Sequence, residues 1–175
     1  MGDYGNVDAR DVSQYKADLI KENIHRTGVI NVEARVQDAT VYDPDSEQAA
    51  DIVIADVPCS GYGVIGKKPE IKYRATPQKQ EEIVMLQRMI LDKAAKYVKP
   101  DGTLIFSTCT IAREENEENV LWFLKNYPYR LESWIRIFRR SCTVNPRSLA
   151  ICSFCREYIR QMDSLLPDSE GNNRK

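Results

Sequence analysis

Two short strings hold the residues best suited to chemistry: Asp56-Val57-Pro58-Cys59-Ser60-Gly61-Tyr62-Gly63-Val64 and, about fifty residues on, Ser107-Thr108-Cys109-Thr110. A lone cysteine at a strand end is most often a small buried hydrophobe. Two cysteines, each just past a strand, one behind a proline in a glycine-rich loop, are harder to dismiss in that way. A thiol hydrolase needs a histidine partner, and the only histidine, His25, falls near the end of an expected amphipathic helix, so that reading is poorly supported. A zinc site is equally poor, because Cys152 and Cys155 form a single C-x-x-C with no second pair and no suitably spaced histidines.

The elements that must position these residues alternate strand and helix, a pattern that predicts a mainly parallel sheet covered by helices. Val7 to Asp11 alternates as a strand. Ser13 is placed to cap a helix through Tyr15, Leu19, Ile20 and Ile24, with Gly28 as its stop. Val32, Ala34 and Val36 form a second strand ending at Gln37 and Asp38. Asp51 to Ala55 is a third, and its Ile-Val-Ile run predicts burial on both faces. After the glycine-rich loop, a helix from about Pro77 carries Ile83, Leu86, Ile90, Ala94 and Tyr97 at helical spacing. Pro100, Asp101 and Gly102 turn the chain into a fourth strand, Thr103 to Phe106. A helix over 113–126, acidic at its start (Glu114, Glu115, Glu117, Glu118), sends Val120, Phe123 and Leu124 inward.

In a parallel sheet the strand C-termini open onto one crevice, where ligands bind. Asp11, Asp38, Asp56 and Cys109 all fall on such ends. A carboxylate after the second strand of a mononucleotide-binding half suits ribose hydroxyls, the place of Asp11, with Asp38 one strand over beside an adenine. Taken singly, each aspartate is more often a turn or cap residue, and it is their shared location that makes the set informative.

The strings DVPCSGYGVIGKKPEIKYR (Asp56 to Arg74) and STCTI (Ser107 to Ile111) resemble the Sun/Fmu (RsmB-like) family of S-adenosylmethionine-dependent 16S rRNA cytosine-5 methyltransferases, over roughly residues 1–133. The resemblance implies a Rossmann-like α/β fold, S-adenosylmethionine as cofactor and 16S ribosomal RNA as partner. It implies Cys109 as the nucleophile that adds to carbon 6 of cytosine, and Cys59 as the second cysteine, assisting proton abstraction and product release. Asp56 would hold the target base and border the cofactor, while Asp11 and Asp38 match the cofactor's ribose and adenine contacts. Lys67, Lys68, Lys72 and Arg74, with Tyr73 among them, would border the RNA, giving phosphate contact and base stacking; a run of this kind is otherwise a solvated loop.

The chain also departs from this family. The Ala-Pro-Gly-Gly-Lys type loop that cradles the methionine part of the cofactor is absent, as is an N-terminal RNA-binding domain, so Met1 reads as an internal methionine used as a start. The expected fold is therefore incomplete, lacking its first strand and final hairpin, with exposed sheet edges and low stability. After Ser133 the family pattern stops. In a shifted frame, permitted codons from Leu149 can spell GYLQLLPGIHQTDGFFIARFRR, a family-like ending. Residues 134–175 are accordingly expected to be an out-of-frame tail, disordered or weakly helical.

Composition fits a soluble globular protein: 175 residues, 42% hydrophobic and 29% charged. No apolar stretch is long enough for a membrane span or signal peptide, and five cysteines make no secreted disulfide framework, so a cytoplasmic protein is expected, without membrane or metal. Nothing in the sequence sets an oligomeric state. The formal charge of −1 hides a division: residues 1–133 hold 17 basic and 22 acidic side chains, and the tail holds 8 and 4. The acidic body argues against RNA binding by bulk charge, which confines any such contact to the local basic loop. The competing reading is a catalytically inactive remnant with at most weak RNA binding.

Overall fold

A computed structural model describes residues 5–74, 76–131 and the backbone of 148–153; the side chain of Arg74 and the rest of the tail lie outside the described residues. The chain divides into two compact units, Met1–Asp43 and Pro44–Lys175. Among the described residues no helix is long and apolar enough to cross a membrane.

In the first unit β1 (Val7–Asp11) and β2 (Val32–Val36) pair in parallel, Val7 opposite Val32 and Asp11 opposite Val36. The connecting helix α1 (Gln14–Thr27) lies where the sequence places it. Ser13 accepts a hydrogen bond from the Lys16 amide at its start, and Gly28 ends it at φ 69°, a left-handed conformation that costs glycine no Cβ clash. Ala17 on α1 and Ala34 on β2 are buried.

The second unit runs β3 (Ala50–Asp56), α2 (Ile71–Arg74), α3 (Pro77–Tyr97), β4 (Val98–Thr108), α4 (Glu117–Asn126), β5 (Arg130–Leu131) and β6 (Ser148–Ser153). Its sheet has the order β3-β4-β6-β5, with every pairing parallel. β4 lies between β3 and β6, and its Leu104, Phe106 and Thr108 are buried in alternation, as period-2 geometry requires. Leu104 and Phe106 meet Leu91, Ala94 and Ala95 of α3 and Val120 and Phe123 of α4 in one core.

Five details differ from the sequence expectations. β3 is not buried on both faces: Ile52 and Ile54 are 53% and 67% exposed, because the helices in contact with it cover only the side carrying Val53 and Ala55. The buried stripe of α3 is Gln87, Leu91, Ala94 and Ala95, rotated from the apolar positions that set the expected face; a polar side chain begins that stripe. Pro100-Asp101-Gly102 does not precede the fourth strand but lies inside it as an irregularity, with Ala50 opposite Val98 and Ile52 already opposite Thr103. Helix α4 starts at Glu117, so Glu114 and Glu115 precede it, and Glu115 and Glu117 are buried rather than lying on a solvated first turn. Finally, residues 148–153 are a strand, not disordered or helical. Leu149 to Cys152 is an apolar run without proline, and its backbone satisfies the hydrogen-bonding edge of β4.

Candidate active site

Parallel pairing brings the two cysteine strings together. Asp56, the last residue of β3, is opposite Ser107 near the end of β4, and the Val57 amide donates to the Ser107 carbonyl at 3.1 Å. Cys59 lies three residues past Asp56 and Cys109 two past Ser107, so both thiols emerge at the C-terminal edge of adjacent strands. Their sulfurs share a hydrogen bond at 2.9 Å, and the Cys109 amide donates to the Cys59 sulfur at 3.2 Å. Both cysteines are free and half-buried. The bonds at these sulfurs run between the two loops rather than to an imidazole.

Burial, and then the hydrogen bond with Cys109, push the Cys59 thiol up to about 12. Cys59 therefore holds its proton at neutral pH. Its alkylation by iodoacetamide, followed by peptide mass spectrometry, is expected to keep rising about tenfold per pH unit from pH 7 through pH 10. A plateau near pH 9 would contradict this. The sign for stability agrees: the folded thiol binds its proton more tightly than the unfolded one, so this contribution is intact below about pH 8.5, the unperturbed thiol value, and declines as pH rises toward 12.

The loop after Cys59 approaches Cys109 closely. The Gly63 amide donates to the Cys109 carbonyl at 3.1 Å, and a Cβ on Gly63 would sit 2.8 Å from that same oxygen. Backbone cannot yield as a flexible side chain does, so Gly63→Ala must part the two loops. It is expected to lower the urea unfolding midpoint by an amount equivalent to about 1–3 kcal/mol, and an unchanged midpoint would show that the approach is not tight.

Asp56 is exposed at its strand end. Lys67, Lys68, Lys72 and Tyr73 are exposed on the segment that ends in α2, with Tyr73 90% accessible. In the first unit, Asp11 ends β1 and Asp38 follows the neighbouring parallel β2, and the Gln37 amide donates to the Asp11 carbonyl at 3.0 Å. Each also serves a turn. Asp11 accepts from the Ser13 amide at 2.8 Å and pairs with Lys16 at 3.5 Å. Asp38 accepts from the hydroxyl and the amide of Thr40, at 2.7 and 2.8 Å, and these bonds lower its carboxyl pKa. The structure thus brings Asp56, Cys59 and Cys109 to one strand-end edge in the second unit, and Asp11 and Asp38 to another in the first.

The profile of the family described as 16S rRNA methyltransferase RsmB/F matches residues 1–144. The chain belongs to this family. Ribosomal RNA small subunit methyltransferase F of Cronobacter sakazakii is 37% identical over 132 residues, covering 75% of this chain and 28% of that protein. The chain thus spans little more than a quarter of the length of this curated relative. Among solved structures, PH0851 superposes with a TM-score of 0.68 at 39% identity, over 72% of this chain and 29% of that one. NSun6 from Pyrococcus horikoshii with SFG gives a TM-score of 0.58 at 31% identity, over 70% of this chain and 31% of that one. The expected fold class, an incomplete Rossmann-like α/β methyltransferase fold, stands for this RsmB/F member.

Sequence reasoning missed the polar groups that support the two cysteine loops in this RsmB/F fold. Ser60 and Thr110, each next to a cysteine, join hydroxyl to hydroxyl at 2.7 Å. Asn116, fully buried, accepts from the Thr108 hydroxyl at 2.7 Å and donates to the Thr110 carbonyl at 3.1 Å, fixing both neighbours of Cys109. The available signal for such groups was a polar residue at a helix position whose i+4 and i+7 companions are apolar: Gln87, with Leu91 and Ala94.

Proposed function

We propose that this chain carries the catalytic part of an enzyme that methylates carbon 5 of a cytosine in 16S ribosomal RNA, with S-adenosylmethionine as the methyl donor. The observation that carries this reading is the pair of free thiols in mutual contact at adjacent parallel strand ends. Carbon 5 of cytosine is a poor nucleophile, and addition of the Cys109 sulfur to carbon 6 makes it enamine-like. Asp56 holds the base at ring nitrogen 3, where charge develops. As the carbon 5 proton passes to the Cys59 sulfur and the proton of Cys59 passes to the departing Cys109 sulfur, the carbon 6–sulfur bond breaks and the ring is restored. Because Cys59 keeps its proton, it can donate to the Cys109 sulfur both before attack and as the thiolate departs.

The residues present suit S-adenosylmethionine by donor chemistry. Asp11 and Asp38, at adjacent strand ends, offer carboxylate oxygens to ribose hydroxyls and an adenine amino group. When bound, the cofactor supplies an electrophilic methyl group. Lys67, Lys68, Lys72, Tyr73 and Arg74 are the proposed RNA contacts, with the base drawn out of its stack to reach the thiols. The cytoplasm is the proposed location. Residues 134–175 remain proposed as an out-of-frame tail, although the family profile runs past residue 133; coding DNA whose shifted frame lacks the family-like ending would refute this.

The deciding experiment is covalent capture. A small-subunit rRNA fragment containing 5-fluorocytosine leaves no proton to lose at carbon 5, so the Cys109 adduct persists after methyl transfer. A denaturation-stable protein–RNA band that requires S-adenosylmethionine supports the proposal. No band, together with no calorimetric binding of S-adenosylmethionine, leaves the inactive remnant.

A further inference from the structure

Glu115 is fully buried, and the proposed reaction does not use it. Burial of a carboxylate is costly unless its oxygens are satisfied. Here they accept three bonds from neutral donors: the Ser60 amide at 3.0 Å, Gln80 Nε2 at 2.7 Å and Gln87 Nε2 at 2.9 Å. Gln87 also donates to the Pro58 carbonyl at 2.8 Å, and its own carbonyl oxygen accepts from Asn119 Nδ2 at 2.7 Å. The chain is therefore gripped on both sides of Cys59, at Ser60 directly and at Pro58 through Gln87. The bond from Ser60 to Thr110 carries that restraint across to Cys109. An apolar side chain at 115 would leave buried donors unsatisfied, and a glutamine would turn an NH₂ group toward a cluster made of N–H donors.

We propose that Glu115 is a positioning residue that fixes the separation of the Cys59 and Cys109 sulfurs through the Ser60 amide and the Gln87 side chain. Its catalytic meaning rests on the function proposed above, but its geometry can be read from thiol chemistry alone. The full chain is equilibrated with glutathione and glutathione disulfide in graded ratios. Each intramolecular disulfide formed consumes one glutathione disulfide, two protein thiols giving up two electrons and two protons to make two glutathiones. Peptide mapping of the Cys59–Cys109 link gives the effective molarity of the pair in the native fold.

Glu115→Gln is expected to lower this value about tenfold or more, the effect of losing a hydrogen bond to a charged group. Phe123→Leu, which weakens the same unit away from the network, is expected to leave it within about twofold. The proposal is overturned if Glu115→Gln stays within about twofold of wild type, or if Phe123→Leu lowers it equally. Should Glu115→Gln fail to fold, Gln80→Ala decides: it removes one donor from the half-exposed side, and a drop of about threefold is expected, no drop being fatal. Failed covalent capture with an intact thiol result would overturn the function and leave the positioning role standing.

Discussion

Cys109→Ala is expected to abolish capture on 5-fluorocytosine RNA and to lower methyl transfer by at least about 10³-fold, since removal of a covalent nucleophile takes away the step that activates the substrate. Cys59→Ala is expected to act in the opposite sense on the adduct. With Cys109 intact, addition to carbon 6 still proceeds, but the departing sulfur has lost its neighbouring thiol, so a denaturation-stable complex should accumulate even on ordinary cytosine RNA. The two sulfurs are 2.9 Å apart, and proximity alone does not distinguish them. Burial, and then the hydrogen bond with Cys109, push the Cys59 thiol up to about 12, which suits Cys59 to the proposed role of proton holder. Gel analysis of both variants on one RNA decides the assignment: if Cys59→Ala loses the adduct and Cys109→Ala retains it, the roles are reversed.

The proposed reacting residues were legible in the sequence because strand ends are. Val7 to Asp11 and Val32 to Val36 follow from alternation, and Asp56, Cys59 and Cys109 follow from knowing where β3 and β4 stop. The supporting shell was not legible, because its residues contradict the rules used to find a core. Gln87 sits in an apolar stripe, and Glu115 belongs to an acidic run that the helix dipole explains equally well. Their burial is intelligible only once pairing has brought the Cys59 and Cys109 loops within reach of α3 and the residues before α4. The strand at 148–153 was hidden for a different reason: a sheet edge recruits backbone, and backbone has no family signature.

Phe123→Ala is expected to cost the second unit about 3–5 kcal/mol, read as a large fall in its urea midpoint by far-UV circular dichroism. The Phe123 ring is fully buried, stacked on Tyr127 with centroids 4.6 Å apart and edge-on to Tyr129 at 5.0 Å. Those tyrosines are anchored to α3, Tyr127 through its hydroxyl to Asp92 at 2.7 Å and Tyr129 to the Ala95 carbonyl at 3.0 Å. Truncation therefore removes a core side chain and also loosens the contacts that hold the end of α4 to α3. Native domains have only about 5–15 kcal/mol in total, so a loss of this size leaves a substantial fraction of molecules unfolded. Tyr127→Phe, which deletes one hydroxyl bond and keeps the ring, is expected to cost only about 1 kcal/mol. Equal effects from the two variants would mean that the bond to Asp92, not aromatic packing, joins the helices. In that case Asn116 and Asn119, at the start of α4, would be held in place beside the cysteine loops by polar contacts rather than by the core.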